Sequence, residues 1–423
     1  VSSEGWYDQA EEKNLMSKVV LFSVPQYGHT NMIQPLVQEL SDRGEHVICY
    51  SSPIFEKEIK RIGADYRGYG AGLMTDVVHA PHSLTEIYCL IMRATQKVLD
   101  LDLERIHRDA PDYIIYDTPA FWGRCIALLL NLPAVSLITS LARNSNSAWL
   151  LRGMGFVPRC LSDVASKVKD MVKVAQIWKD IQKRYGLEEQ SLWKMASGSA
   201  ELSIVFVSRL FQPYAERFDA HFKFVGPPVV DRHASADSPV QNVEHDKLVF
   251  VSLGTVFNLD RPFFQVCFDA FRDFDCQVIL TTGRGISAES LTGVPDNVMV
   301  CNWVPQQLAV LQNASVCLTH GGWNTVSESM YYGVPMVVIP TTLEHAMIAR
   351  QVWNVGAGVY LKKGKVTSQT MREAVRRVLA DESYRLNSRR IGDLFREAGG
   401  AKRAVDEIFK FKERHLESSA VSS

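Results

Sequence analysis

Residues 302–351 read NWVPQQLAVLQNASVCLTHGGWNTVSESMYYGVPMVVIPTTLEHAMIARQ. The short apolar run 316–319 (VCLT) meets a polar, glycine-rich turn, His320-Gly321-Gly322-Trp323-Asn324-Thr325, and then a helical pattern. A second apolar run, 336–339 (MVVI), follows Gly333-Val334-Pro335. Strand, glycine turn, helix and strand in this order make a βαβ unit, whose strands lie parallel and buried on both faces. Further runs at 248–253, 277–281 and 298–302 extend the series toward the N-terminus.

The same alternation occupies the start of the chain. KVVLFSV (18–24) suits a buried parallel strand, with a helical pattern from Met32 to Ser41 ended by Gly44. Strands are predicted at 46–50, 113–116 and 134–138. Helices are predicted after Ser52-Pro53, over 84–107 and from Pro119, Ser52 serving as cap with proline in the first turn. Residues 140–200 lose the alternation and read as an irregular, partly helical insertion. Between them, residues 227–247 (PPVVDRHASADSPVQNVEHDK) carry the composition of a linker. The fold expected is α/β: two Rossmann-like domains, 18–226 and 248–423, joined by 227–247 and facing a central cleft. Residues 1–17 are expected to be a disordered N-terminal extension, Met16 being a candidate start.

Composition narrows the partners. The 423 residues include 46 Lys+Arg and 47 Asp+Glu, a formal charge of −1, so no bulk field favours nucleic acid or an anionic membrane. The apolar stretch 126–138 is interrupted by Asn131 and Pro133 and is too short for a bilayer. Eight scattered cysteines without C-x-x-C spacing argue for a reducing, cytoplasmic setting and no structural zinc. The sequence assigns no oligomeric state.

Chemistry concentrates at strand ends. Neither half shows G-x-G-x-x-G after its first strand, which counts against a dinucleotide cofactor. The first turn, Pro25-Gln26-Tyr27-Gly28-His29-Thr30, instead sets His29 at the carboxyl end of a strand, where a loop histidine and a functional one read alike. In the 302–351 segment, glycines allow close backbone approach and N–H groups at a helix start suit phosphate. His320, Asn324 and Thr325 add side-chain donors. Glu328 would hold two hydroxyls of a ribose, or would complete a capping box with Thr325. Trp303 would stack on a base or pack in the core. Asp100-Leu101-Asp102 and Asp273-Phe274-Asp275 sit in or beside helical patterns, where i and i+2 diverge, and are read as solvated surface rather than a metal site.

In this order, the segment resembles the nucleotide-sugar signature of the UDP-glycosyltransferases. The matching pieces are W-x-P-Q (Trp303 to Gln306), T-H-x-G-W-N-[ST]-x-x-E (Thr319 to Glu328), G-V-P (Gly333 to Pro335) and a following acidic-polar pair. The resemblance extends over roughly residues 18–410 and is nearest to the bacterial macrolide-type members. It implies a GT-B fold and inverting, metal-independent transfer of a hexose from a UDP-sugar, with UDP-glucose the expected donor. The nucleotide sugar is a substrate, and no permanently bound cofactor is implied. It further implies base stacking by Trp303, with Val304 and Gln306 nearby, and diphosphate contacts from Gly254, Thr255, His320, Asn324 and Thr325, with Gly322 and Trp323 also in the donor-binding set. Ribose contact falls on Glu328, and sugar contacts fall on Glu344 and His345. That last pair departs from the family's usual Asp-Gln and leaves the sugar's identity open.

The same resemblance implies that His29 takes the acceptor's proton and that Asp117 orients it. A helix cap for the segment from Pro119 is the alternative for Asp117. Tyr88, Met92, Phe121, Trp122, Trp149 and Met154 are bulky candidates to line an acceptor pocket for a phenolic, polyketide or terpenoid hydroxyl, as in natural-product glycosylation. The competing expectations are a TDP-deoxysugar transferase of antibiotic biosynthesis, a nucleotide-sugar epimerase, and a non-catalytic nucleotide-sugar-binding protein.

Overall fold

The structure is a computed structural model that describes residues 17–70, 84–143, 161–188, 191, 200–229, 246–254, 261–283, 286–302, 304 and 307–420. The expectations for residues 1–16, and for most of the linker, lie outside the described residues. Ser17 is buried, and its carbonyl accepts the His46 amide at 3.0 Å, so this residue belongs to the ordered first half.

Two parallel sheets carry the chain. The first contains β1 (Lys18–Phe22), β2 (His46–Ser51), β3 (Asp65–Gly68), β4 (Tyr113–Asp117), β5 (Ala134–Ile138), β6 (Leu202–Val205) and β7 (Phe222–Phe224), in the order β3-β2-β1-β4-β5-β6-β7. The second contains β8 (Leu248–Ser252), β9 (Gln277–Thr281), β10 (Val298–Cys301), β11 (Val316–Thr319), β12 (Met336–Val338) and β13 (Gly358–Tyr360), in the order β10-β9-β8-β11-β12-β13. In each sheet the winding reverses beside the first strand, between β1 and β4 and between β8 and β11. Such switch points open a crevice at the carboxyl ends of the strands. The register sets Phe22 beside Tyr116 in one sheet and Ser252 beside Thr319 in the other. The residues that follow those positions are therefore delivered to the crevice by topology.

One apolar core spans both halves: Val19, Leu36 and Phe211 belong to the same buried cluster as Trp323, Phe395 and Ile408. The last two helices, Ser383–Glu397 and Gly400–Ala420, are separated at Gly399-Gly400, both at positive φ. There the Gly400 amide bonds the Val225 carbonyl at 2.7 Å, and the final helix runs back onto the first half. It packs on the helix Tyr27–Asp42, where Arg43 meets Asp406 at 2.5 Å and Lys412 meets Glu45 at 2.6 Å. The second contact is nearly sealed, the side chains being 15% and 2% exposed, and Tyr113 donates to the other Glu45 oxygen at 2.7 Å.

These two pairs should differ in worth. Removing one partner of a buried ion pair strands the other, at about 3 kcal/mol or more, whereas an exposed pair contributes about 1 kcal/mol or less. Lys412→Ala is expected to lower the unfolding free energy by the larger amount and Asp406→Ala by the smaller. Denaturant titration of both variants checks the difference.

Candidate functional site

At the first switch point the helix Tyr27–Asp42 begins five residues before the apolar pattern announces it. His29 therefore lies in its first turn and not in a free loop, because Tyr27-Gly28-His29 carry helical geometry without helical hydrophobicity. Its Nδ1 stands 2.6 Å from Asp117 Oδ2, at the end of β4, and 3.3 Å from Thr139 Oγ1, just past β5. Asp117 is fully buried, and neither of its oxygens has another hydrogen-bond partner among the described residues. It does not cap the next helix: that helix starts at Phe121, with Ala120 at the cap and no side-chain bond. His29 keeps about a quarter of its side chain exposed to the crevice. Burial lowers its pKa, but Asp117, by charge and hydrogen bond, and then Glu344 outweigh it, so the imidazole titrates above its usual 6.5. A carboxylate on one ring nitrogen leaves the other to accept a proton.

At the second switch point β11 delivers His320. Its ring is sandwiched: a Cβ built on Gly254 would lie 2.6 Å from Cε1, and one on Gly322 would lie 2.5 Å from Nε2. These two glycines thus make room for the imidazole as well as for any ligand. The ring of His345 meets that of His320 edge-on, with centroids 4.6 Å apart. Burial, then the neighbouring His345, pushes His320 down to about 3, the Ser252 backbone opposing; burial alone takes His345 to about 4. Both rings are therefore neutral near pH 7. His320 would meet an anion as a neutral N–H donor, not as a cation.

The helix Trp323–Tyr331 starts beside it, with Gly322 at its cap and no side chain bonded there. Thr325 is the third helical residue, so Thr325 and Glu328 do not form a capping box. Asn324 Nδ2 reaches across the crevice to Gly28 O at 2.8 Å, which brings the two helix starts together. Trp323 is not turned toward the crevice. It is 4% exposed, donates to Phe206 O at 2.9 Å and packs on Phe211 and Phe395, so its place is the core between the halves. Val304 is likewise buried, leaving only its backbone for contact.

Glu344 and His345 open the helix Leu343–Asn354, capped by Thr342, but they point to different neighbours. His345 is buried, with Thr341 Oγ1 2.9 Å from its Nδ1. Glu344 accepts from Ser140 Oγ at 2.6 Å and lies 3.6 Å from Arg143 Nη2, both in the segment after β5. Thr139, Ser140 and Arg143 escaped the sequence reading, although polar residues directly after a buried parallel strand are the available signal.

The pocket candidates are corrected in part. Met92, Phe121 and Trp122 are buried in the core behind the first sheet, with Trp122 Nε1 bonded to Tyr69 Oη, and only Tyr88 is half-exposed. Trp149, Met154, Thr255, Trp303 and Gln306 lie outside the described residues. Asp102 is also corrected: it is buried, paired with Arg105 at 2.8 Å and bonded by the Gly70 amide, which makes it structural rather than solvated.

The imidazoles should titrate separately. By NMR, His29 is expected to show a midpoint above 6.5, moving to lower pH in Asp117→Asn, where Glu344 alone is left to oppose burial. His320 and His345 are expected to stay uncharged through the neutral range. A wild-type His29 midpoint below 6.5 would contradict the assigned electrostatics.

Comparison with known proteins gives this geometry its context. Residues 265–398 match the family described as erythromycin biosynthesis protein CIII-like, C-terminal domain. The chain is 31% identical over 412 residues to YojK of Bacillus subtilis (strain 168), named an uncharacterized UDP-glucosyltransferase, covering 96% of this chain and 100% of that one. It is 32% identical over 403 residues to the NDP-glycosyltransferase YjiC of the same organism, covering 94% and 97%. Among solved structures, the calicheamicin glycosyltransferase CalG4 superposes with a TM-score of 0.76 at 28% identity, covering 95% of this chain and 99% of that one. The kitacinnamycin glycotransferase gives 0.79 at 25%, covering 93% and 98%. The chain belongs to the bacterial macrolide-type UDP-glycosyltransferases and is a glycosyltransferase of GT-B fold.

Proposed function

We propose that the protein transfers a hexose from a UDP-sugar, UDP-glucose foremost, to a hydroxyl of a small hydrophobic acceptor, with inversion. The observation that carries this reading is the apposition of the His29–Asp117 pair to the helix start at Trp323, joined by the bond from Asn324 to Gly28. A proton acceptor and an anion site then share one crevice. The similarity to proteins named UDP-glucosyltransferase and NDP-glycosyltransferase supports the donor class.

In this reading the first half, residues 18–226, binds the acceptor and the second, 248–423, binds the donor. His29 removes the proton from the acceptor hydroxyl as its oxygen bonds to the anomeric carbon. The bond from that carbon to the diphosphate oxygen breaks on the opposite face, and UDP departs with the electron pair. An α-linked donor gives a β-O-glycoside. Asp117 holds the tautomer and stabilises the imidazolium that forms. The negative charge growing on UDP meets backbone N–H groups at the helix start and neutral His320, dipoles already oriented for it. Glu328 holds the ribose and Trp303 stacks on the uracil, while Glu344 accepts sugar hydroxyls. No step is routed through a metal ion or a resident cofactor. We place the reaction in the cytoplasm, in keeping with the seven free cysteines among the described residues. A TDP-deoxysugar donor is the second reading. The chain's similarity to a demethyllactenocin mycarosyltransferase, 28% identical over 414 residues, favours it, and Glu328 disfavours it because deoxyribose lacks one hydroxyl.

A mass-spectrometric screen of UDP-glucose, UDP-galactose, UDP-N-acetylglucosamine and TDP-glucose against phenolic acceptors is expected to give product chiefly with UDP-glucose. Product from TDP-glucose alone would replace this reading by the second. His29→Ala is expected to lower the transfer rate about 10²–10⁴-fold while UDP affinity, followed by calorimetry, is retained. The value of kcat/KM should fall as pH drops through the raised His29 pKa, because the protonated ring accepts nothing. In Asp117→Asn that acid limb should move to lower pH, with a smaller plateau. A divalent chelator should leave the rate unchanged.

A further inference from the structure

The segment after β5 touches both sides of the crevice within five residues. Thr139 Oγ1 lies 3.3 Å from His29 Nδ1, Ser140 donates to Glu344 Oε1 at 2.6 Å, and Arg143 Nη2 lies 3.6 Å from Glu344 Oε2. Glu344 comes from the opposite half, at the start of the helix Leu343–Asn354. One carboxylate is thus gripped by residues of the half that carries His29. We propose that Ser140 and Arg143 are positioning residues for sugar transfer: they fix the Glu344 carboxylate from the segment whose Thr139 meets His29, so that one group both orients the donor sugar and faces the proton acceptor. This inference rests on the function proposed above.

The chemistry permits the double use. A carboxylate offers about four acceptor positions. Ser140 occupies one at Oε1, and Arg143, 3.6 Å from Oε2, acts by charge, so those remaining can take two sugar hydroxyls. Held this way, the carboxylate loses little freedom when the sugar arrives, which is the advantage of a preorganised contact. Arg143 also balances its charge. Among the described residues, the charged groups acting on His29 are Asp117 from β4 and Glu344 from the facing helix, with Arg143 3.6 Å from Glu344. The helix Trp323–Tyr331 contributes its positive end through Asn324, and His320 and His345 are neutral. Arg143 is cationic, as a guanidinium is at any working pH, and Glu344 favours that charge against burial. Removing Glu344's charge makes the imidazolium less favourable, whereas removing Arg143's makes it more favourable. The two variants should therefore displace the base in opposite directions, which loss of packing would not do.

The test measures donor KM, kcat and the pH profile of kcat/KM for Ser140→Ala, Ser140→Thr, Arg143→Ala, Arg143→Lys and Glu344→Gln. The His29 midpoint is followed by NMR without substrate in the same proteins. Ser140→Ala is expected to raise donor KM about tenfold, as for loss of a hydrogen bond to a charged group, and Arg143→Ala to raise it through loss of the facing charge. The acid limb and the NMR midpoint should move to higher pH in Arg143→Ala and to lower pH in Glu344→Gln. Ser140→Thr and Arg143→Lys should recover most of each effect. Unchanged donor KM in both alanine variants, or His29 midpoints that move together or not at all, would overturn the inference. Should Arg143→Ala not fold, Arg143→Gln removes the same charge with more of the side chain retained. A wild-type protein that transfers no sugar would overturn the proposed function, and the opposed NMR shifts would still establish the coupling.

Discussion

Parallel pairing throughout both sheets is the constraint from which the site follows. A parallel strand buried on both faces can present chemistry only at its ends, and the right-handed crossovers leave one open crevice per sheet, where the winding reverses. In the first sheet that point lies between β1 and β4, and it receives His29 and Asp117. In the second it lies between β8 and β11, and it receives Gly254 and His320. Residues almost ninety positions apart in the first pair, and more than sixty apart in the second, become neighbours because strand order leaves them no alternative. The segment after β5, one strand further, adds Thr139, Ser140 and Arg143 to the same rim.

The electrostatics of the two crevices are opposite in design. Around His29 a fully buried carboxylate outweighs the cost of burial and makes the ring more basic. Around His320 the described residues supply no carboxylate that raises it; burial and a second imidazole keep the ring neutral. Residues 302–349 contain neither lysine nor arginine, Arg350 being the first. In the function proposed above, anion binding at this turn would therefore depend on short-range N–H groups whose orientation the fold sets, and Gly254 and Gly322 admit the His320 imidazole between them. Such a site gains little from long-range attraction and much from fit, which suits a small diphosphate ester better than a polyanion.

The legibility of the sequence divides along physical lines. The central strands were readable because burial on both faces writes a continuous apolar run, as in KVVLFSV. The strands β3 (Asp65–Gly68), β7 (Phe222–Phe224) and β13 (Gly358–Tyr360) were not, because Asp65, Arg67, Lys223 and Gly358 interrupt any apolar run, and β6 went unread although it is buried along its length. The motif residues His29, Asp117, His320 and Asn324 were legible as a set. Their partners were less so: the edge-on packing of His345 and the grip on Glu344 depend on side-chain direction, which spacing does not encode. Trp323 shows the opposite error. It stands inside the motif, yet the helix turns it into the core, where its indole N–H satisfies a buried carbonyl of the other half.

The helix Tyr27–Asp42 is where these threads join, because the second half holds both of its ends. Asn324 bonds Gly28 O at its start, and Arg43 and Glu45, just past its end, are tied to Asp406 and Lys412 of the last helix. The residue whose proton affinity matters, His29, rides on the first turn of that helix. Its distance from β11 and from Glu344 is thus governed by contacts at two places rather than by a free hinge. A chain built as two sheets around a crevice would ordinarily be free to open between them. Here the shared core of Phe211, Trp323 and Phe395, the returning helix and the single carboxylate at Ser140 limit that freedom. The last of these lies at the group proposed above to meet the donor sugar, while the core and the returning helix keep the two halves together away from it.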